Sequence, residues 1–271
     1  MISASAGLMR GKRGLIMGVA NDHSIAWGIA KAVAAEGAEL AFTFQGEALG
    51  RRVEPLARGL GSQLVLPCDV EDVASLDAVF ESVERAWGGL DFLVHCIAFS
   101  DRAELKGRYA DTSRENFVRT MVISAFAFTE AVRRAAPLMK TGGAALTLTF
   151  GGSTRVLPNY NVMGVAKAAL EASVRYLASD YGPSGIRINA ISAGPIRTLA
   201  GAGINDARFL FNHQKAHAPL RRTPTIEDVG GSALYLLSDL AAAVTGEIHF
   251  VDSGYNIIAM PRPEDLRSEV L

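Results

Sequence analysis

The chain has 271 residues, 49% of them hydrophobic and 20% charged, with 27 Lys+Arg against 28 Asp+Glu. That length is enough for one large α/β domain with a sizeable core, and a net charge of -1 leaves no field to draw in nucleic acid or an anionic membrane. No apolar run approaches the ~18 residues that span a bilayer, and the first residues lack the basic-then-apolar pattern of an export signal, so a soluble, cytoplasmic protein acting on a small molecule or another protein is expected.

In chain order, short runs rich in Val, Ile, Leu and Phe predict strands at 13–18, 39–44, 63–67, 91–97, 144–150, 187–193 and 247–252, with segments of helical period between them. Strand–helix alternation implies a parallel sheet. Runs apolar on both faces call for helices on both sides, and right-handed crossovers then give a doubly wound α/β fold with its site at the carboxyl ends of about seven strands. With no Pro/Gly/Ser-rich linker, repeat or low-complexity tract, residues 1–271 read as a single domain. The polar, proline-marked tail 261–271 reads as loosely attached. Cys68 and Cys96, each in an apolar run, read as buried inert thiols of a reducing compartment, without a disulfide.

After the first strand, Gly18 permits a tight turn and Ser24 can cap the next helix or donate to phosphate. Ala26 and Gly28 let that helix lie close to the sheet or a ligand. A dinucleotide pyrophosphate suits such a helix N-terminus, although an ordinary strand-to-helix turn reads the same way. Gln45 follows the second strand, Asp69 and Val70 the third, and Cys96-Ile97-Ala98 the fourth, all along one crevice. Asp69 can accept from an adenine amino group or cap a helix beginning near Glu71. The acid expected at the ribose hydroxyl is absent. Gln45 can bond that ribose without repelling a phosphate, and Arg51 and Arg52 are near in sequence, so NADH is favoured and NADPH stays open.

Tyr160 and Lys167 are seven residues apart, two turns if both lie on one helix, which would put a phenol and an ammonium on one face. A phenol can donate to an oxygen that gains charge, and a nearby cation would strengthen it as a donor. Such a pair can polarise a carbonyl.

Gly18…Ser24-Ile25-Ala26-x-Gly28, Pro158-Asn-Tyr160-Asn-Val-Met-Gly-x-Ala-Lys167 and Ser192-Ala-Gly-Pro-Ile-Arg-Thr198 stand in this order, and through them the chain resembles the bacterial enoyl-acyl-carrier-protein reductases nearly end to end. These are divergent short-chain dehydrogenases, marked by six residues between the tyrosine and the lysine. The resemblance implies a Rossmann-type fold, usually a homotetramer. It also implies reduction by a nicotinamide cofactor of the trans-2 double bond of an acyl chain carried on acyl carrier protein.

By matching motif positions, Gly18, Ser24 and Ile25 would hold pyrophosphate, Gln45 the adenosine ribose, and Asp69 and Val70 the adenine. Ile97 would lie beside the nicotinamide and Lys167 on its ribose, with Ile196 and Thr198 at the carboxamide and phosphates. Tyr160 would meet the thioester oxygen, and Ser100 would stand near it. The chain departs from the family pattern at Phe150, where a second tyrosine is common, and Phe150 is read as an apolar wall or as a mark of altered substrate preference. Cys96-Ile-Ala also replaces a more usual serine-glycine version.

Gly201 and Gly203 precede Ile204, Phe209, Leu210 and Phe211, which predicts a mobile lid over the acyl chain at about 199–219, the alternative being core packing. His213 and His217 have metal-like spacing, but no carboxylate joins them, so a solvated face and no metal are expected. Gly164, Ala166, Ala168 and Ala169 thin one helix side, suiting either a subunit contact or packing on the chain's own sheet. A carbonyl reductase of the same superfamily, or a non-catalytic NAD(H) sensor, are the rival readings.

Overall fold

The structure, a computed structural model, describes residues 7–199, 207–260 and 262. Its sheet contains β1 (Arg13–Met17), β2 (Glu39–Phe44), β3 (Leu64–Pro67), β4 (Phe92–His95), β5 (Gly143–Thr149), β6 (Ile186–Ala193) and β7 (Ile248–Val251). All are parallel, in the order β3-β2-β1-β4-β5-β6-β7. Strand order reverses between β1 and β4, and that is where an open α/β sheet has its crevice. The predicted strand at 91–97 ends earlier, at His95. Cys96 N–H still reaches Met17 O at 2.9 Å, after which the chain leaves the sheet.

Helices cover both faces. On one lie α3 (Val73–Trp87), α5 (Ala127–Ala135) and α6 (Val162–Tyr181), whose Leu76, Phe80, Phe128 and Leu170 pack with Leu15 and Leu93. On the other lie α1 (Ile25–Ala35), α2 (Gly46–Gly59) and α8 (Ile226–Leu237), whose Ile29, Val53 and Leu236 pack with Ile16 and Phe42. Adjacent strand residues thus serve opposite cores, which is why central strands such as β1 and β4 read as near-continuous apolar runs. Two further helices, α4 (Arg114–Met121) and α7 (Ala207–His217), flank the carboxyl ends of the strands.

Several local expectations are corrected. Gly28 serves helix–helix contact, not the sheet or a ligand: a Cβ there would lie 2.3 Å from Ile226 O, and one on Gly230 2.7 Å from Gly28 O, so α1 and α8 touch backbone to backbone. The cap of α3 is Asp72, which accepts from Ala74 N–H, while Asp69 accepts from Glu71 N–H at 3.0 Å. Of the small residues on α6, Gly164 packs on the chain's own turn (a Cβ would be 2.7 Å from Gly152 O) and Ala166 is buried. Gly201, Gly203 and Ile204, and the tail apart from Arg262, lie outside the described residues. Among the described residues no helix is long and apolar enough to cross a membrane.

Candidate active site

A cavity of about 650 Å³ opens where the strand order reverses. β1 delivers Gly18 to it with φ +102°, and a Cβ there would sit 2.3 Å from Cys96 O, so both conformation and space demand glycine. Ser24 closes the turn: its hydroxyl accepts from Ala20 and Asn21 N–H at 3.0 and 3.1 Å and makes no capping bond to α1. Gly18, Ser24, Ile25 and Ala26 all line the cavity.

From β4 come Cys96, Ile97, Ala98, Phe99 and Ser100. Phe99 is pinned by Ser124, whose hydroxyl accepts from its N–H and donates to its carbonyl, both at 2.9 Å, from a π-helical turn at Val122–Phe126. Ser100 is buried and its hydroxyl is engaged by Thr120 at 2.9 Å and by the Asn116 side chain. Cys96 corrects an expectation: it lines the cavity instead of sitting wholly in the core. Burial pushes its thiol up to about 12 despite Lys167, and Cys68, a free thiol in the core, likewise reaches about 12 by burial and the charge of Asp69.

β5 ends in Leu148, Thr149 and Phe150, which line the same space as Tyr160 and Lys167. Tyr160 is not on the helix. α6 starts at Val162, and Tyr160 sits in the preceding turn between Asn159 (φ 59°) and Asn161 (φ 38°), so backbone reversal, not two helical turns, brings the pair together. Tyr160 is 6% exposed. Its ring meets Phe150 edge-on with centroids 5.2 Å apart and leans on Gly152, where a Cβ would come within 2.4 Å of it. No described residue hydrogen-bonds its hydroxyl. Burial, then the charge of Glu171, raise its pKa, so it is a neutral donor, and the expected help from a cation is not what acts on it.

Lys167, also 6% exposed, donates to Leu148 O at 2.8 Å. Burial pulls it down to about 8, against the opposing influence of Cys96 and Glu171. His95, behind it in β4, is driven to about 3 by burial with Lys167 adding to the effect, and stays neutral. Thr149 and Glu171 escaped the sequence reading. The Thr149 hydroxyl donates to Glu171 Oε1 at 2.6 Å, and the available signal was an acid four residues after Lys167 on an otherwise apolar helix face.

β6 leads into Ala193, Gly194, Pro195, Ile196 and Thr198, and α7 adds Leu210 and Phe211. Phe209 is 58% exposed and stacks on His213, whose ring in turn meets His217 at 4.3 Å. The expectation of a solvated histidine face fails, because α7 turns it inward: His217 is 5% exposed and His213 packs beside Tyr255. Among the described residues no group of three or more potential ligands could hold a metal.

Gln45, Asp69 and Val70 do not line this cavity. They stand at the ends of β2 and β3, one and two strands away from β1, where Gln45 Nε2 donates to Asp69 Oδ2 at 3.1 Å and the Val70 side chain is buried in the core. Arg51 lies on the exposed side of α2, 3.6 Å from Glu47.

Residues 18–256 match the family model described as enoyl-(acyl carrier protein) reductase. The chain is 72% identical over 261 residues, 96% of its own length and 97% of the relative's, to enoyl-[acyl-carrier-protein] reductase [NADH] 2 of Rhizobium meliloti (strain 1021). The crystal structure of FabI from Candidatus Liberibacter asiaticus superposes with a TM-score of 0.93 at 60% identity, covering 95% of this chain and 100% of that one. The enoyl-(acyl-carrier-protein) reductase of Anaplasma phagocytophilum, solved in complex with NAD, gives 0.92 at 55% identity over 95% and 98%. With family model, relatives and fold in accord across almost the whole sequence, the chain belongs to the enoyl-(acyl carrier protein) reductase family.

Proposed function

We propose that the protein reduces the trans-2 double bond of enoyl thioesters carried on acyl carrier protein, with NADH as reductant, closing the fatty-acid elongation cycle. The carrying observation is the buried Tyr160 phenol, whose hydroxyl no described residue engages, and the buried Lys167 held by the Leu148 carbonyl, both lining one cavity beside a turn that admits no Cβ. That Cβ-free turn suits the close approach of a dinucleotide backbone. Relatives named for NADH, and a neighbour solved with NAD, support the same cofactor.

NADH, when bound, would supply a hydride for the β-carbon. The Tyr160 hydroxyl donates to the thioester oxygen as charge develops there and holds the enolate until its α-carbon takes up a proton from solvent, which completes the saturation of the double bond. Lys167, fixed by the Leu148 carbonyl, orients the cofactor ribose as a donor. Gly18, Ser24 and Ile25 hold the pyrophosphate. Gln45 takes the adenosine ribose, and Asp69 and Val70 flank the adenine. Ile97 borders the nicotinamide, while Ile196 and Thr198 take its carboxamide and the phosphates. Phe150, packed on Tyr160, is an apolar wall of the substrate space. Ser100 shapes the wall near the thioester, its hydroxyl already spent on Thr120 and Asn116.

Leu199 and α7, the described part of the segment 199–219, serve as a lid, supported by Leu199, Leu210 and Phe211 lining the cavity. The protein works as a cytoplasmic homotetramer. Loss of NADH absorbance with a crotonyl thioester, set against an acetoacetyl thioester and against NADPH, tests the reaction. Faster turnover of the acetoacetyl substrate would make it a carbonyl reductase. Amide exchange no faster in α7 than in the sheet would count against the lid, and a monomer on sedimentation against the tetramer.

A further inference from the structure

Glu171 is a buried acid, 7% exposed, on the same face of α6 as Lys167 and one turn further on. Its Oε1 accepts from the Thr149 hydroxyl at 2.6 Å, while Lys167 Nζ donates to the carbonyl of Leu148 at 2.8 Å. Two successive residues of β5 are therefore tied to two successive turns of α6, one through the acid and one through the base. Burying a carboxylate is costly unless a neighbouring cation compensates it.

The titratable groups facing Lys167 are His95 at the end of β4, Cys96 just after it, Tyr160 from the turn before α6, and Glu171 on its own helix. His95 is neutral. Cys96 can favour the ammonium only as a thiolate, a form that a thiol held up to about 12 does not take near neutrality. From α4, α5 and β6, which also pack on α6, no charge acts on Lys167 among the described residues. Glu171 is what remains. The same carboxylate acts on Tyr160, where it favours the neutral phenol.

We propose that Glu171, fixed by the Thr149 hydroxyl, is a positioning residue that keeps Lys167 charged against the Leu148 carbonyl and Tyr160 protonated as a donor. This rests on Lys167 being a cofactor ligand as proposed above.

The test is NADH affinity, read by fluorescence titration as a function of pH, so that enoyl turnover does not enter. In the wild type affinity falls as pH rises through about 8, where the ammonium is lost. Glu171→Gln moves that midpoint down by about one unit or more, and Glu171→Asp, which keeps the charge, returns it towards wild type. Lys167→Arg abolishes the limb, because a guanidinium does not titrate there. An unchanged midpoint in Glu171→Gln overturns the proposal.

Should that variant fail to fold, Thr149→Val replaces it: freeing the carboxylate shifts the midpoint down by a smaller amount, and no shift overturns the proposal equally. Lys167→Ala separates the two readings. If it binds NADH like wild type, the cofactor role of Lys167 falls and this inference with it. If it binds weakly while Glu171→Gln keeps the wild-type midpoint, only the role of Glu171 falls.

Discussion

Tyr160→Phe removes one oxygen from a buried side chain whose ring packs on Phe150 and Gly152. The ring keeps its edge contact with Phe150 and its seat over Gly152, and no described residue loses a hydrogen-bond partner, since none bonds the hydroxyl. Folding free energy should therefore change by less than about 1 kcal/mol, because no buried group is left unsatisfied. Nor should NADH affinity change, the phenol being assigned to the substrate oxygen.

The transition state is different. Losing one preorganised donor to a developing oxyanion costs about 10²–10³ in turnover, roughly 2.7–4 kcal/mol. The expected signature is thus a melting temperature and an NADH affinity like those of the wild type, with kcat for a crotonyl thioester down by that factor. Thermal unfolding, cofactor fluorescence and NADH consumption measure the three quantities on one preparation. Wild-type turnover would remove Tyr160 from the chemistry, and loss of NADH binding would recast it as part of the cofactor site.

Other substitutions probe the frame around it. Gly18→Ala forces an L side chain to φ +102° and a Cβ to 2.3 Å from Cys96 O, a strain of about 1–3 kcal/mol or more, so both melting temperature and NADH affinity should drop; neither doing so would show the turn to be pliable. Gly28→Ala wedges α1 from α8 at a cost of about 1–3 kcal/mol, lowering the melting temperature by several degrees, yet NADH affinity well below melting should hold, as the contact lies off the cavity. Ser100→Ala leaves Thr120 and Asn116 short of a partner and should cost about 1–3 kcal/mol of stability with little change in kcat; a large fall in kcat at unchanged stability would instead place the hydroxyl on the substrate. In the wild type, NADH binding should be flat below about pH 8 and weaken above it, because the ammonium is the binding form and burial has brought its loss into that range.

The central strands β1, β4 and β5 are legible in the sequence because each is covered on both faces and two-sided burial favours a run of apolar residues, whereas the edge strands β3 and β7 are only partly buried and show it less. Gly18 was legible for a similar reason: a strand-to-helix turn at positive φ leaves its mark in the residue type itself. Long-range partners leave no such mark. Gly28 was read against a sheet or ligand, but its neighbour, the Ile226 carbonyl, arrives from nearly two hundred residues away. His217 was read as solvated because spacing cannot say which way a helix faces.

The pair Tyr160 and Lys167 divides along the same line. Residue identity and spacing already put a tyrosine and a lysine into one candidate site, above an alternating pattern that builds a parallel sheet. How they meet depends on contacts between distant segments: a reversal at Asn159 and Asn161, with the β5 carbonyl of Leu148 holding the ammonium and the Thr149 hydroxyl holding Glu171. Spacing along a chain fixes which residues can share a helix face. Burial, and the charges that burial brings together from separate strands and helices, fix which protons those residues keep.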